Sequence, residues 1–151
     1  MSAKKMNIYL DLCAYNRPFD DQTQPRILLE TMGFLVIMSI VQTQKIQTFN
    51  SFVLEYENTR NPKLENRQII ADILSEASLY IHYDSAIAQK ALEIEQNGIK
   101  HFDALHLACA DCARADFFVS CDDDLVKKAN TIKGLNVNVI SLLNFIAREV
   151  F

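Results

Sequence analysis

Apolar positions along the chain fall into short solid runs and longer periodic stretches, and the two patterns predict different elements. Residues 7–10, 117–120 and 137–140 are short, largely apolar runs that read as buried strands, and residues 46–50 are read as a second strand in chain order. Residues 16–18 mark a loop, and Pro25 then opens a long helix to about Lys45. Ser51 is placed to cap a short helix that ends at the turn near residues 58–62. Over residues 63–80, Ile69, Ile70, Ile73, Leu74 and Ala77 recur at helical spacing. Over residues 85–96, Ile87, Ala91, Leu92 and Ile94 or Glu95 share turns before Gly98 stops the helix. Three more helices are predicted, from Phe102 or Asp103 through Arg114, over residues 122–129 and over residues 141–148.

Strand and helix alternate at both ends of the chain. That order implies an α/β fold, a short parallel sheet of four to five strands with helices on both faces and a largely helical insertion between the second and third strands. With 151 residues, three glycines and three prolines, the chain leaves no room for linkers or repeats, so residues 1–151 are expected to form one domain.

Composition narrows the function classes. Half the residues are hydrophobic and 23% are charged, an ordinary globular balance that excludes disorder and fibrous repeats. Nineteen acids against fifteen bases, net −4, argue against a broad cationic face for duplex DNA. Cys13, Cys109, Cys112 and Cys121 are too few for a disulfide scaffold and sit in apolar stretches, which suggests free thiols and a cytoplasmic home. No export signal is expected from the first residues. The apolar run 33–41 falls well short of the ~20 residues of a membrane span and reads as a buried helix. Residues 32–41 are also apolar enough to serve a dimer or partner groove.

In open parallel sheets, ligands bind beyond the carboxyl ends of the strands, so acids there carry the most information. Asp11 directly follows the first strand, Asp122 closely follows the run 117–120, and Asp103 opens a helix; Glu55 or Glu57 lies just past the second strand. Taken singly, Asp103 and Asp122 are ordinary helix caps, and Glu55 and Glu57 ordinary solvated acids. Together, a cluster of carboxylates in low dielectric calls for divalent cations. Oxygen ligands favour Mg2+ or Mn2+, and such a site supports phosphodiester hydrolysis by a metal-activated water.

Tyr9-Leu10-Asp11-Leu12-Cys13-Ala14-Tyr15-Asn16-Arg17-Pro18-Phe19, Phe102-Asp103-Ala104-Leu105-His106-Leu107-Ala108 and Val119-Ser120-Cys121-Asp122 resemble the three signature segments of PIN domains, the ribonuclease fold of VapC-type toxins. The resemblance runs from about residue 6 to residue 145 in order, spacing and length. It implies a three-layer α/β/α fold with Mg2+ or Mn2+ held by Asp11, Glu57, Asp103 and Asp122, which would also be the catalytic set. Glu55 stands as the alternative to Glu57, and Asp123 as the alternative to Asp122. Ser120 would supply a hydroxyl, and Asn16, Arg17 and Arg60 would meet the substrate. It further implies an RNA substrate cleaved to 5′-phosphate and 3′-hydroxyl ends, an antitoxin partner and a homodimer. Leu12 departs from the Thr common in the family and removes a hydroxyl.

Rival readings fit less well. A haloacid-dehalogenase-like phosphatase needs a second Asp where Cys13 stands, and a receiver domain places its acidic pair near the chain start, not at 122–124. A PIN fold that has lost activity and binds only a protein partner is the rival of another class, favoured by Leu12 and the lack of a basic surface. His106-x-x-Cys109-x-x-Cys112 has metal-like spacing but drifts around its helix and lacks a fourth ligand, so Cys109 and Cys112 read as core residues. His82, His101 and His106 read as ordinary surface or satisfied histidines.

Overall fold

The computed structural model describes residues 5–151. Five parallel strands, β1 (Met6–Leu10), β2 (Ile46–Ser51), β3 (Leu79–Ile81), β4 (Phe117–Ser120) and β5 (Asn138–Ser141), form one sheet in the order β3-β2-β1-β4-β5. Ile8, Tyr9 and Leu10 are wholly buried, as an unbroken apolar run requires when helices cover both faces of a parallel sheet. β1 therefore takes the central place, with Ile8 paired to Thr48 on one side and Phe117 on the other.

Helices flank the sheet: α1 (Leu12–Asn16), α2 (Pro25–Gln42), α3 (Phe52–Thr59), α4 (Leu64–Ser75), α5 (Ser85–Glu95), α6 (His101–Cys112), α7 (Asp123–Ala129) and α8 (Leu142–Phe145). A single 3-10 turn, Arg17–Phe19, follows α1, and α8 widens into a π-helical turn over Ile146–Val150. Several starts follow from side-chain caps. Asp11 accepts from Leu12, Ser51 from Leu54, Asp84 from Ala86, Asp122 from Leu125 and Ser141 from Asn144. Gly33 lets α2 lie close to α8, since a Cβ there would sit 3.3 Å from Cγ1 of Ile146.

The structure corrects four expectations. The helix drawn through residues 63–80 ends at Ser75, and Leu79–Ile81 instead pairs with β2 as an edge strand, so the insertion is not purely helical. Glu76 and Ala77 donate back to Ile73 and Leu74, a helical turn closing that leaves no break in the apolar period to signal the change. Residues 16–18, read as a loop, instead end the short helix α1 at Asn16 and enter the 3-10 turn at Arg17–Phe19. The long helix stops at Gln42 rather than Lys45, and Gln44 takes a positive φ of 65°.

The fourth correction concerns α2, which is not a buried helix. Glu30, Thr31, Gly33, Phe34 and Ile37 turn inward, but Leu28, Leu29, Met32, Leu35 and Val36 are exposed, the last four spaced along one side. By length and composition alone its 18 residues are apolar enough to cross a membrane. Its first turns are nevertheless pinned into the fold by charge. Glu30 is 1% exposed and accepts from Nε of Arg17 at 2.9 Å, with Nε of Arg26 at 3.5 Å.

A buried carboxylate robbed of its main partner is costly, so Arg17→Met is expected to lower unfolding free energy by about 3 kcal/mol in urea titrations. Arg17→Met combined with Glu30→Gln should recover part of that loss, because no buried charge then remains unpaired.

Candidate metal and nuclease site

Strand order fixes where a ligand can enter. The chain runs from β1 outward to β2 and β3, then returns to place β4 on the other side of β1, so the crevice beyond the carboxyl ends of β1 and β4 is the switch point of the sheet. Asp11 and the β4 terminus meet there. The Asp11 backbone N–H donates to the carbonyl of Val119 at 2.9 Å, and Oδ2 of Asp11 accepts from the Ser120 hydroxyl at 2.8 Å. Oδ1 of Asp11 caps α1 through Leu12, and Sγ of Cys13 approaches Oδ2 at 3.5 Å. Asp11 is 6% exposed and Ser120 wholly buried, so the pair is locked before any ligand arrives.

Asp122 follows from the same strand end. Its backbone N–H donates to Oγ of Ser120 at 3.1 Å, and its Oδ1 caps α7 through Leu125 at 3.2 Å. Asp123 faces elsewhere, gripped by Arg26 in a two-pronged pair of 2.6 and 2.8 Å at the protein surface. Glu55 and Glu57 also part company. Glu55 accepts from the Tyr80 hydroxyl on β3, whereas Glu57 turns toward α6 and meets Nε2 of His106.

Asp103 reports how close these groups are. Burial first, then the charge of Asp11, then Asp122 and Glu57, push its carboxyl up to about 6, with His106 acting in the opposite direction. Asp11, Asp122 and Glu57 thus all act electrostatically on Asp103, with Asp103 and Asp122 lining one cleft and Glu57 another. Among the described residues, no three His, Cys, Asp or Glu side chains come together as a group that could hold a metal ion, so at most one or two of these carboxylates would meet an ion directly. That donor set fits Mg2+ or Mn2+, which use one or two carboxylates and fill their remaining positions with water and phosphate oxygens rather than a protein cage.

Two clefts extend from the acids. One is lined by Gly98, Lys100, Asp103, Asp122, Asp124 and Lys128, the other by Leu12, Asn16, Arg17, Asp20, Glu57 and Arg60. Asn16 and Arg17 therefore lie at the crevice, but Arg17 is held by Glu30 and by Asp20, whose Oδ2 is 2.7 Å from Nη1. Arg60 is the freer arginine, over the ring of Phe102 at 5.8 Å, and Phe102 stacks on the half-exposed Tyr56 with centroids 5.6 Å apart. Sequence reasoning passed over this aromatic pair, although Tyr56 and Phe102 directly precede Glu57 and Asp103.

It also underrated His106, which is wholly buried. Its Nδ1 lies 2.6 Å from the Tyr9 hydroxyl, itself 2.8 Å from Oγ of Ser51. Burial holds the Tyr9 phenol well above its ordinary range, so it stays protonated. His106 is thus a satisfied histidine, joined to a site acid. Cys109 is a core residue as expected, but Cys112 is exposed, because the last turn of α6 rotates it out of the core. All four cysteines are free.

The sequence matches no family model and no curated protein. Solved structures do resemble the fold. A chain of VapBC2 from Rickettsia felis, bound to a promoter DNA fragment, superposes with a TM-score of 0.59 at 17% identity, over 90% of this chain and 98% of that one. FitAcB from Neisseria gonorrhoeae gives 0.57 at 12%, over 90% and 98%. DNA-bound VapBC from Salmonella typhimurium gives 0.54 at 14%, over 91% and 98%. The chain has a VapC-like PIN-domain fold.

The raised Asp103 carboxyl sets a pH dependence for the metal-free protein. Its folded value of about 6 lies above the unfolded 3.8, so stability is expected to fall as pH rises between the two and to level off above. Asp103→Asn should raise the melting temperature at pH 7.5 in chelator, and the gain should vanish below about pH 4, where the parent carboxyl is neutral in both states.

Proposed function

We propose that this chain is a Mg2+- or Mn2+-dependent endoribonuclease, the toxin of a cytoplasmic toxin–antitoxin pair. The observation that carries the reading is the setting of Asp103: burial first, then the charges of Asp11, Asp122 and Glu57, disfavour its ionised form, and it lines one cleft with Asp122. Asp11, Glu57, Asp103 and Asp122 would hold the ion, directly or through water. When bound, the ion supplies positive charge for the phosphate and makes water a competent nucleophile at neutral pH. Asp11 is kept in place by Ser120 and by the α1 cap, and Asp122 by Ser120 and the α7 cap. The chain's contribution is this fixed geometry, with Ser120 orienting two acids at once.

Single-stranded RNA suits the surroundings better than duplex. The Lys100 and Lys128 cleft on one side and Arg60 and Asn16 on the other give local cationic contacts for a backbone passing over the acids, while Tyr56 and Phe102 offer a stacking surface. Arg17 contributes less than its position suggests, being engaged with Glu30. For the partner, the neighbours are VapBC and FitAB assemblies, and the exposed apolar side of α2 gives this chain a surface for an antitoxin or a second copy. If no ion binds, a partner-binding scaffold becomes the better account.

The direct test is cleavage of structured and single-stranded RNAs with Mn2+, alongside calorimetric Mn2+ titration. Activity should disappear in chelator and in Asp11→Asn, and Asp11→Asn should lose Mn2+ binding. No cleavage together with no Mn2+ binding by the parent would overturn the reading. Tyr56→Ala should raise KM about tenfold with kcat nearly unchanged, the cost of one lost stacking contact.

A further inference from the structure

A buried polar chain has to be explained, because apolar side chains of the same shape would pack there without desolvation cost. Ser51, Tyr9 and His106 are all wholly buried, and they form one continuous line of hydrogen bonds. The Leu54 N–H donates to Oγ of Ser51 at 3.0 Å, Oγ lies 2.8 Å from the Tyr9 oxygen, and that oxygen lies 2.6 Å from Nδ1 of His106. The far ring nitrogen, Nε2, meets Oε1 of Glu57.

Counting protons gives the line a direction. Ser51 already accepts from Leu54, so its single proton goes to the Tyr9 oxygen. Tyr9 then spends its own proton on Nδ1, which must be bare. A ring with a single hydrogen then carries it on Nε2, aimed at the Glu57 carboxylate. Run the other way, the Ser51 proton would lack an acceptor among its hydrogen-bond partners, and a bare Nε2 lone pair would face a carboxylate.

We infer that Ser51, Tyr9 and His106 form a positioning relay that fixes the His106 tautomer and so holds Glu57 by Oε1, leaving its other oxygen for the cation. The inference rests on the acidic-site reading above and deepens it. Tyr9 lies two residues before Asp11, and His106 lies one helical turn after Asp103, so the relay ties Glu57 on α3 to both segments. Phe118 stacks on Tyr9 with centroids 5.4 Å apart and 13° between planes, so the phenol cannot swing away. These residues do not touch substrate. They act through Glu57, as groups behind metal ligands commonly do.

Tyr9→Phe removes one oxygen and leaves the ring packing intact. It should weaken Mn2+ affinity about ten- to hundredfold by calorimetry, the usual effect of losing an outer hydrogen-bond partner. His106→Leu should do the same. His106→Gln, whose amide can donate from nearly the position of Nε2, should bind Mn2+ much closer to the parent. Nitrogen-15 NMR of the metal-free protein should show the Nε2-protonated ring in the parent and a mixture of tautomers in Tyr9→Phe. A role in packing alone would not move that signature.

Two results would overturn the inference. If Tyr9→Phe is folded and keeps both the parent tautomer and the parent Mn2+ affinity while Asp11→Asn loses the ion, the relay is only core filling and the acidic site stands. If Asp11→Asn keeps Mn2+ binding, the acidic-site reading itself fails and the relay falls with it.

Discussion

Everything in this molecule depends on β1 being paired on both sides. A strand of wholly buried residues has to lie in the middle of a parallel sheet, and the chain then needs helical crossovers to return each later strand in the same direction. That single constraint sends β2 one way and β4 the other, opens the crevice beyond their carboxyl ends, and delivers Asp11 into it. Burial of a carboxyl, and after it repulsion from its acidic neighbours, is the cost of the arrangement, and Asp103 carries it most visibly. The surrounding hydrogen bonds, from Ser120 to Asp11 and from His106 to Glu57, hold carboxylates in places they would not otherwise share.

The sequence made the frame legible because its signals were local. Short apolar runs announced β1, β4 and β5, and Ser51 announced the helix it caps, whereas Asp11 was read only as a strand-end acid and the helix it caps was not foreseen. β3 was hidden for a physical reason: it is three residues long, it pairs on one side only, and Ala77 continues the apolar period of α4 into the turn that precedes it. The exposed side of α2 was hidden because composition does not say which way an all-round apolar helix turns. Leu29, Met32, Leu35 and Val36 look the same in sequence as the Phe34 and Ile37 that do reach the core.

The acids were legible as a set only because strand ends can be counted. The preference for Glu57 and Asp122 came from the family resemblance, and what three dimensions add is where each neighbour turns. Glu55 and Glu57 sit two residues apart on a helix and so point to different sides, one to Tyr80 and one to His106. Asp122 and Asp123 are separated by the start of α7, which leaves the first as a cap in the crevice and the second as a surface partner of Arg26. Long-range partners of this kind, Tyr9 with His106 or Arg26 with Asp123, leave no mark in local sequence.

The sheet ends in short margins. β3 offers three residues at one border, and at the other β5 is four residues long with the Val139 carbonyl already taken by the Asn130 side chain at 3.0 Å. Borders this brief present few free peptide groups to a foreign strand, so neither can template the growth of a fibril or a continuous sheet between molecules. A strand offered by another molecule would find little to pair with at either border.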